Sequence, residues 1–181
     1  YASRGLGDVY KRQFSNRGGE KMRNLYGKVF KNTQTGDVKC FPYDPTNQNY
    51  YAFVQEANKS GFQQSIFTSS VMISIIEHFL FKHNAVLSEI EFLIEDELLN
   101  QEINNILVRM RENAAFWSQL KERLAFLSRY DSIDIKKIKL KGFDDSGFLL
   151  TLQVNGIVVV SENAYNTLSI EISEIVRKVI N

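Results

Sequence analysis

Nine positions between Leu99 and Leu127 recur at alternating spacings of four and three residues: Leu99, Ile103, Ile106, Met110, Asn113, Trp117, Leu120, Leu124 and Leu127. Eight are apolar and Asn113 is the exception. This is the heptad pattern, which gathers one side of an α-helix into a continuous apolar stripe. A straight helix over residues 98–128 would extend roughly 45 Å at 1.5 Å per residue, more than a small domain usually needs to cover its own sheet. Two readings follow. In the first, the stripe is an interface for a second copy of the chain or another protein, with Asn113 setting the register and Trp117 serving as an anchor. In the second, it packs on the chain's own sheet, or folds back as a hairpin near Arg111-Glu112-Asn113.

The rest of the chain supplies a sheet. Residues 25–31 and 38–41 read as an N-terminal β-hairpin, rich in β-branched and aromatic residues and joined by the polar turn 32–37. Pro42 and Pro45 are expected to end that sheet segment, and Tyr50–Val54 is too short to assign. In the C-terminal third, residues 136–141 alternate, with Ile138 and Leu140 on one face and Lys137, Lys139 and Lys141 on the other. A loop containing Asp144 and Asp145 follows, then a second alternating run, 148–154. Asn155-Gly156 reads as a two-residue turn that pairs Val154 with Ile157 and aligns Leu152 with Val159.

Three further helices are expected. Residues 68–82 are apolar over most of their circumference, behind the capping hydroxyls of Thr68, Ser69 and Ser70. Ser88 and Glu91 have capping-box spacing, and Ile90, Leu93, Ile94 and Leu98 share a helical face, which favours helix over the alternative of a strand. Residues 163–180 close the chain, with Arg177 and Lys178 at the negative end of the helix dipole. The pattern is α+β: an N-terminal β-hairpin, a helical middle with one long amphipathic helix, a three-stranded antiparallel meander and a C-terminal helix. No internal repeat is visible.

The first 21 residues read differently. Ser3-Arg-Gly-Leu-Gly-Asp-Val-Tyr-Lys-Arg-Gln13 resembles the in-frame translation of a transposon adapter used in sequencing libraries. Arg17-Gly-Gly-Glu-Lys-Met22 matches a purine-rich ribosome-binding site read through to a start codon. We therefore expect residues 1–21 to be a non-native, disordered extension, the native start to be Met22, the source to be a bacterial or phage gene, and residues 22–181 to form a single domain. The whole chain carries 22 basic and 21 acidic residues. Five of the basic and two of the acidic ones lie before Met22, which leaves 17 against 19 and a net charge of −2. A general electrostatic case for nucleic-acid binding falls with that trimming.

The remaining composition is that of a globular protein, at 44% hydrophobic and 24% charged. Cys40 is the only cysteine, so no intramolecular disulfide can form, and a reducing, cytoplasmic setting is expected. The most apolar run, 71–81, is too short to span a bilayer, so no membrane association is expected.

Motifs for chemistry are sparse. His78 and His83 are the only histidines, and five residues of helix would set them about 140° apart, so no metal site and no cofactor are expected. A thiol at Cys40 within a strand reads as buried and inert. Gly27-Lys28 lacks the rest of a phosphate loop. Asp134-Ile135-Lys136 resembles the carboxylate-x-lysine element of metal-dependent nucleases, with Glu77 or Asp131 as conceivable second carboxylates. Lys137, Lys139 and Lys141 on one strand face suit phosphate contacts, or simply a solvated or protected edge. Glu89, Glu91, Glu95, Asp96, Glu97 and Glu102 form an acidic block that would repel nucleic acid. The aromatic residues Phe41, Tyr43, Tyr50, Tyr51, Phe53, Phe62 and Phe67 suit either a pocket or ordinary packing. The sequence thus favours a non-enzymatic interaction module, a homodimer or partner-binding protein acting through the stripe. The alternative is a nuclease-like enzyme centred on Asp134 and Lys136.

Overall fold

The computed structural model of the chain describes residues 23–143 and 147–180. The extension up to residue 21 and the two loop aspartates lie outside the described residues. A β-hairpin opens the fold, β1 (Asn24–Asn32) and β2 (Val38–Tyr43), as the sequence implies. Pro42 does not end it: it lies within β2 opposite Gly27, on an outer strand where a missing N–H disturbs no second neighbour. The short aromatic run becomes α1 (Tyr50–Lys59), capped by the Asn49 side chain, which accepts from the Ala52 N–H at 3.1 Å. β3 (Phe62–Gln64) and α2 (Ser69–Lys82) follow, and Thr68 caps α2 as expected.

Residues 86–92 are a strand, β4 (Val86–Phe92), and not the helix favoured by the Ser88 capping signal. Tertiary pairing overrides local propensity here. Leu87, Ile90 and Phe92 reach the core from β4, whereas the proposed helical face of Leu93, Ile94 and Leu98 is solvent-exposed, Leu98 at 79%. The helix cap is Asp96, whose side chain accepts from Leu99 N–H at 3.0 Å.

That cap starts α3 (Glu97–Glu112), and the long helix stops there. Asn113 has extended dihedrals, φ −149° and ψ 110°. Its N–H ends α3 on the Arg109 carbonyl, while its side chain accepts from Ala115 N–H and starts a 3₁₀ turn (Ala114–Phe116). α4 (Trp117–Phe126) then runs into a π-type turn ending at Asp131. The single long helix of the sequence reading is therefore a helical hairpin, tied by the bidentate Arg123–Glu102 pair at 2.7 and 2.9 Å.

β5 (Ile135–Gly142), β6 (Phe148–Gln153) and β7 (Ile157–Ser161) form the expected meander, and α5 (Tyr165–Ile180) closes the chain after a 3₁₀ turn. The β6–β7 register differs by one residue from the sequence reading: Leu152 faces Val158, not Val159. Gly156 alone takes a positive φ (77°), and its N–H returns to the Gln153 carbonyl, so the turn has three residues. A one-residue slip exchanges faces, and this register buries Val158 and Val160 completely.

All pairings are antiparallel, in the order β2-β1-β7-β6-β5-β4, with β3 continuing along β1 where β7 leaves it. One core lies between this sheet and α2 to α5. A smaller one, Phe30, Val54, Ala57 and Phe62, lies under α1 on the opposite face, where the aromatic run packs edge to face. Among the described residues no helix is long and apolar enough to cross a membrane.

Candidate metal centre

The C-terminal end of α2 assembles a cluster that linear spacing conceals. His78 is on the helix, but His83 is its C-cap, with φ −112° and ψ 7°. Asn84 then takes a left-handed conformation (φ 46°), which asparagine tolerates better than most residues, and turns the chain toward β4. Because His83 has left helical geometry, the 140° separation does not apply. Its ring stacks on Phe79 at 5.0 Å, meets Phe148 edge-on at 5.9 Å, and comes within 6.1 Å of the His78 ring.

Helix α5 supplies the third member. Leu168, Ile172, Ile175 and Val176 bury its apolar face, which directs Glu171 at the end of α2. Glu171 Oε2 lies 3.1 Å from His78 Nε2 and 2.8 Å from His83 Nε2, and Oε1 accepts from Lys82 Nζ at 3.0 Å. The side chains are 31%, 15% and 15% exposed for His78, His83 and Glu171. Burial pushes the Glu171 carboxyl up, but hydrogen bonds from His83, His78 and Lys82 outweigh it and hold the pKa at about 2. One ligand atom from each of His78, His83 and Glu171 lies within 4.8 Å of the others, which among the described residues is the one such group of three.

The donors suit zinc-class chemistry. Two imidazole nitrogens and a carboxylate oxygen are ordinary zinc ligands, and tetrahedral bonds of about 2.0–2.1 Å hold such atoms roughly 3.3 Å apart. The two distances from Glu171 Oε2, 3.1 and 2.8 Å, would open by a few tenths of an ångström, and the two imidazoles would close on the ion from within 4.8 Å. Lys82 occupies Oε1, so Oε2 is the oxygen that faces both rings. Ligation through Nε2 requires each neutral imidazole to carry its proton on Nδ1.

The residues singled out in the sequence are placed elsewhere. Of the heptad stripe, Leu99, Ile103, Ile106, Trp117, Leu120, Leu124 and Leu127 are buried in the main core, Met110 packs against it, and Asn113 is the exposed break. The case for an interface rested on an uncovered strip, and these side chains are interior. Asp134 Oδ1 accepts from Ser69 Oγ (2.7 Å) and Ser128 Oγ (2.8 Å), and Ser69 Oγ accepts from Ile135 N–H. This network ties the start of β5 to α2. Glu77 is held by Lys121 and the Trp117 indole, and Asp131 lies 4.0 Å from Arg123, so neither joins Asp134 in a ligand set. Lys136 is an exposed bulge residue.

On the sheet face away from α2, Lys137 pairs with Glu89 and Glu91, and Lys139 with Glu89. The lysine face and part of the acidic block are thus cross-strand partners. The Lys139 hydrogen bond, helped by Lys137 and opposed by burial, holds the Glu89 carboxyl at about 2. Cys40 contacts Tyr165 Oη at 3.9 Å, and burial pushes its thiol up to about 11, an unreactive state.

Sequence reasoning gave no role to Lys28, which is buried with its ammonium donating to the backbone oxygens of Ser65 (3.3 Å) and Asn155. Burial pulls its pKa down to about 8. A Cβ on Gly156 would collide with the same Ser65 oxygen, which explains the glycine in that turn. No protein-family model matches this chain, and neither the curated proteins nor the solved structures contain a significant match.

Proposed function

We propose that the chain is a small metal-binding protein that holds one zinc-class ion between α2 and α5. The observation that carries this reading is the convergence of His78, His83 and Glu171, whose ligand atoms lie within 4.8 Å of one another at the end of α2 and on α5. An ion there would cross-link the C-terminal helix to the central helix. A ligand that binds only the folded state stabilises it by mass action, about 2.7 kcal/mol at a hundred times Kd. The expected role is binding and stabilisation, with no reaction assigned to the centre.

The test is calorimetric titration of the purified chain with Zn(II), alongside the visible spectrum with Co(II). Binding of one ion, a tetrahedral cobalt band and a raised melting temperature are expected. His83→Ala and Glu171→Gln should each weaken binding by more than the roughly 10–100-fold that second-shell changes cost. If neither ion binds, or if both variants bind as the parent does, the cluster is a hydrogen-bonded clasp and the reading fails.

A further inference from the structure

A cleft lies beside the C-terminal end of α2. The end of that helix, the start of β4 and the α3–α4 junction enclose a cleft of about 320 Å³, at the small end of the roughly 300–1,000 Å³ typical of ligand pockets. Leu80, Val86, Leu107, Met110 and Trp117 form its walls. The polar atom of Trp117 is engaged elsewhere, donating to Glu77 Oε1 at 3.2 Å, so the indole offers the cleft only carbon. β4 is the last strand of the sheet, and Phe81 stands exposed at the rim.

Arg111 is the one charged residue lining this cleft. It is exposed, and among the described residues no carboxylate pairs with it. Arg111 also borders a neighbouring hollow of about 490 Å³ that contains Lys139 and Lys141. The carboxylate in that hollow, Glu89, is already held by Lys137 and Lys139. Arg111 therefore stands where a cleft lined mainly by apolar side chains meets a surplus of positive charge. A ligand with an apolar body and one anionic end complements both features, whereas a fully polar anion would not fill the cavity.

We infer that this cleft binds a medium-chain carboxylic acid, its apolar tail among Leu80, Leu107, Met110 and Trp117 and its carboxylate on the Arg111 fork. The site is independent of the His78–His83–Glu171 centre. Trp117 is the only tryptophan and lies in the wall, so its emission reports occupancy directly.

The experiment is titration of the full chain with a terminally brominated undecanoate below its micelle concentration. Saturable quenching of Trp117, reversed by unlabelled decanoate, is expected. Arg111→Ala should weaken binding roughly tenfold, the worth of a charge-assisted contact, and Arg111→Lys should recover part of it. Ala114→Phe fills the cleft from an exposed position and should abolish quenching while the circular dichroism spectrum is unchanged. Three outcomes overturn the inference: no saturable quenching, equal affinity for the brominated alcohol, or equal affinity in Arg111→Ala.

Discussion

Two regions of this molecule teach opposite lessons about pattern. The α3–α4 segment has the most regular spacing in the chain, and its product is interior packing. The end of α2 with Glu171 has no periodic signal at all, yet it gathers three side chains of metal-ligand type. Regular spacing reports that a face is buried, without saying against what. Ligand clusters need only side-chain tips to meet, and residues 93 apart in sequence, such as His78 and Glu171, do so through packing.

The comparison breaks most sharply at Leu120, which is fully buried. Leu120→Asp places an unpaired charge in the core and should abolish the cooperative unfolding transition altogether; Leu120→Ala should cost about 2–5 kcal/mol by urea denaturation. If Leu120→Asp instead remained folded and merely dissociated an oligomer, the stripe would be an interface after all.

Lys28 is the polar counterpart in the small core's vicinity, and its effect should follow pH. Below pH 8 it is charged in both folded and unfolded states, so the burial penalty is constant. Between about 8 and 10.5 the folded protein releases the proton while the unfolded chain keeps it, so the unfolded state binds more protons and stability rises with pH. Measured against Lys28→Met, whose other titrations are the same, wild type should gain roughly 2–3 kcal/mol across that window. A flat difference would refute the burial of the ammonium.

Asn113→Ala removes the side-chain cap of the 3₁₀ turn that leads into α4, while keeping the backbone N–H that ends α3, and should cost about 1 kcal/mol. If the substitution stabilised the protein, the break would lie in the packing and not in this residue. The smallest effect belongs to the exposed ladder: Lys139→Ala should cost under about 1 kcal/mol, less at high salt, because half-exposed ion pairs are screened.

Much of the architecture was legible. The N-terminal hairpin, α2, the meander and the closing helix follow from alternation, turn residues and caps, each a local signal. Where two local signals compete, tertiary pairing decides between them. Ser88 has the spacing of a helix cap, but pairing with β5 made the segment a strand, and Ser88 instead donates to the Lys139 carbonyl. Asn155-Gly156 marks the turn but not its register, because one extra loop residue changes which valines face inward, and only packing decides between them. The candidate site was not legible: helical geometry was extended one residue past its end, to His83, and nothing in the spacing points to Glu171.

By itself, the order of residues determined the class of fold, most of its elements and the fact that the heptad face must leave water, since apolar periodicity is a statement about which atoms avoid solvent. Only tertiary structure decided what covers that face, that Asn113 divides the helix, and that two histidines meet a glutamate. Those are relations between distant segments, and their free energy exists only once the sheet and helices have packed.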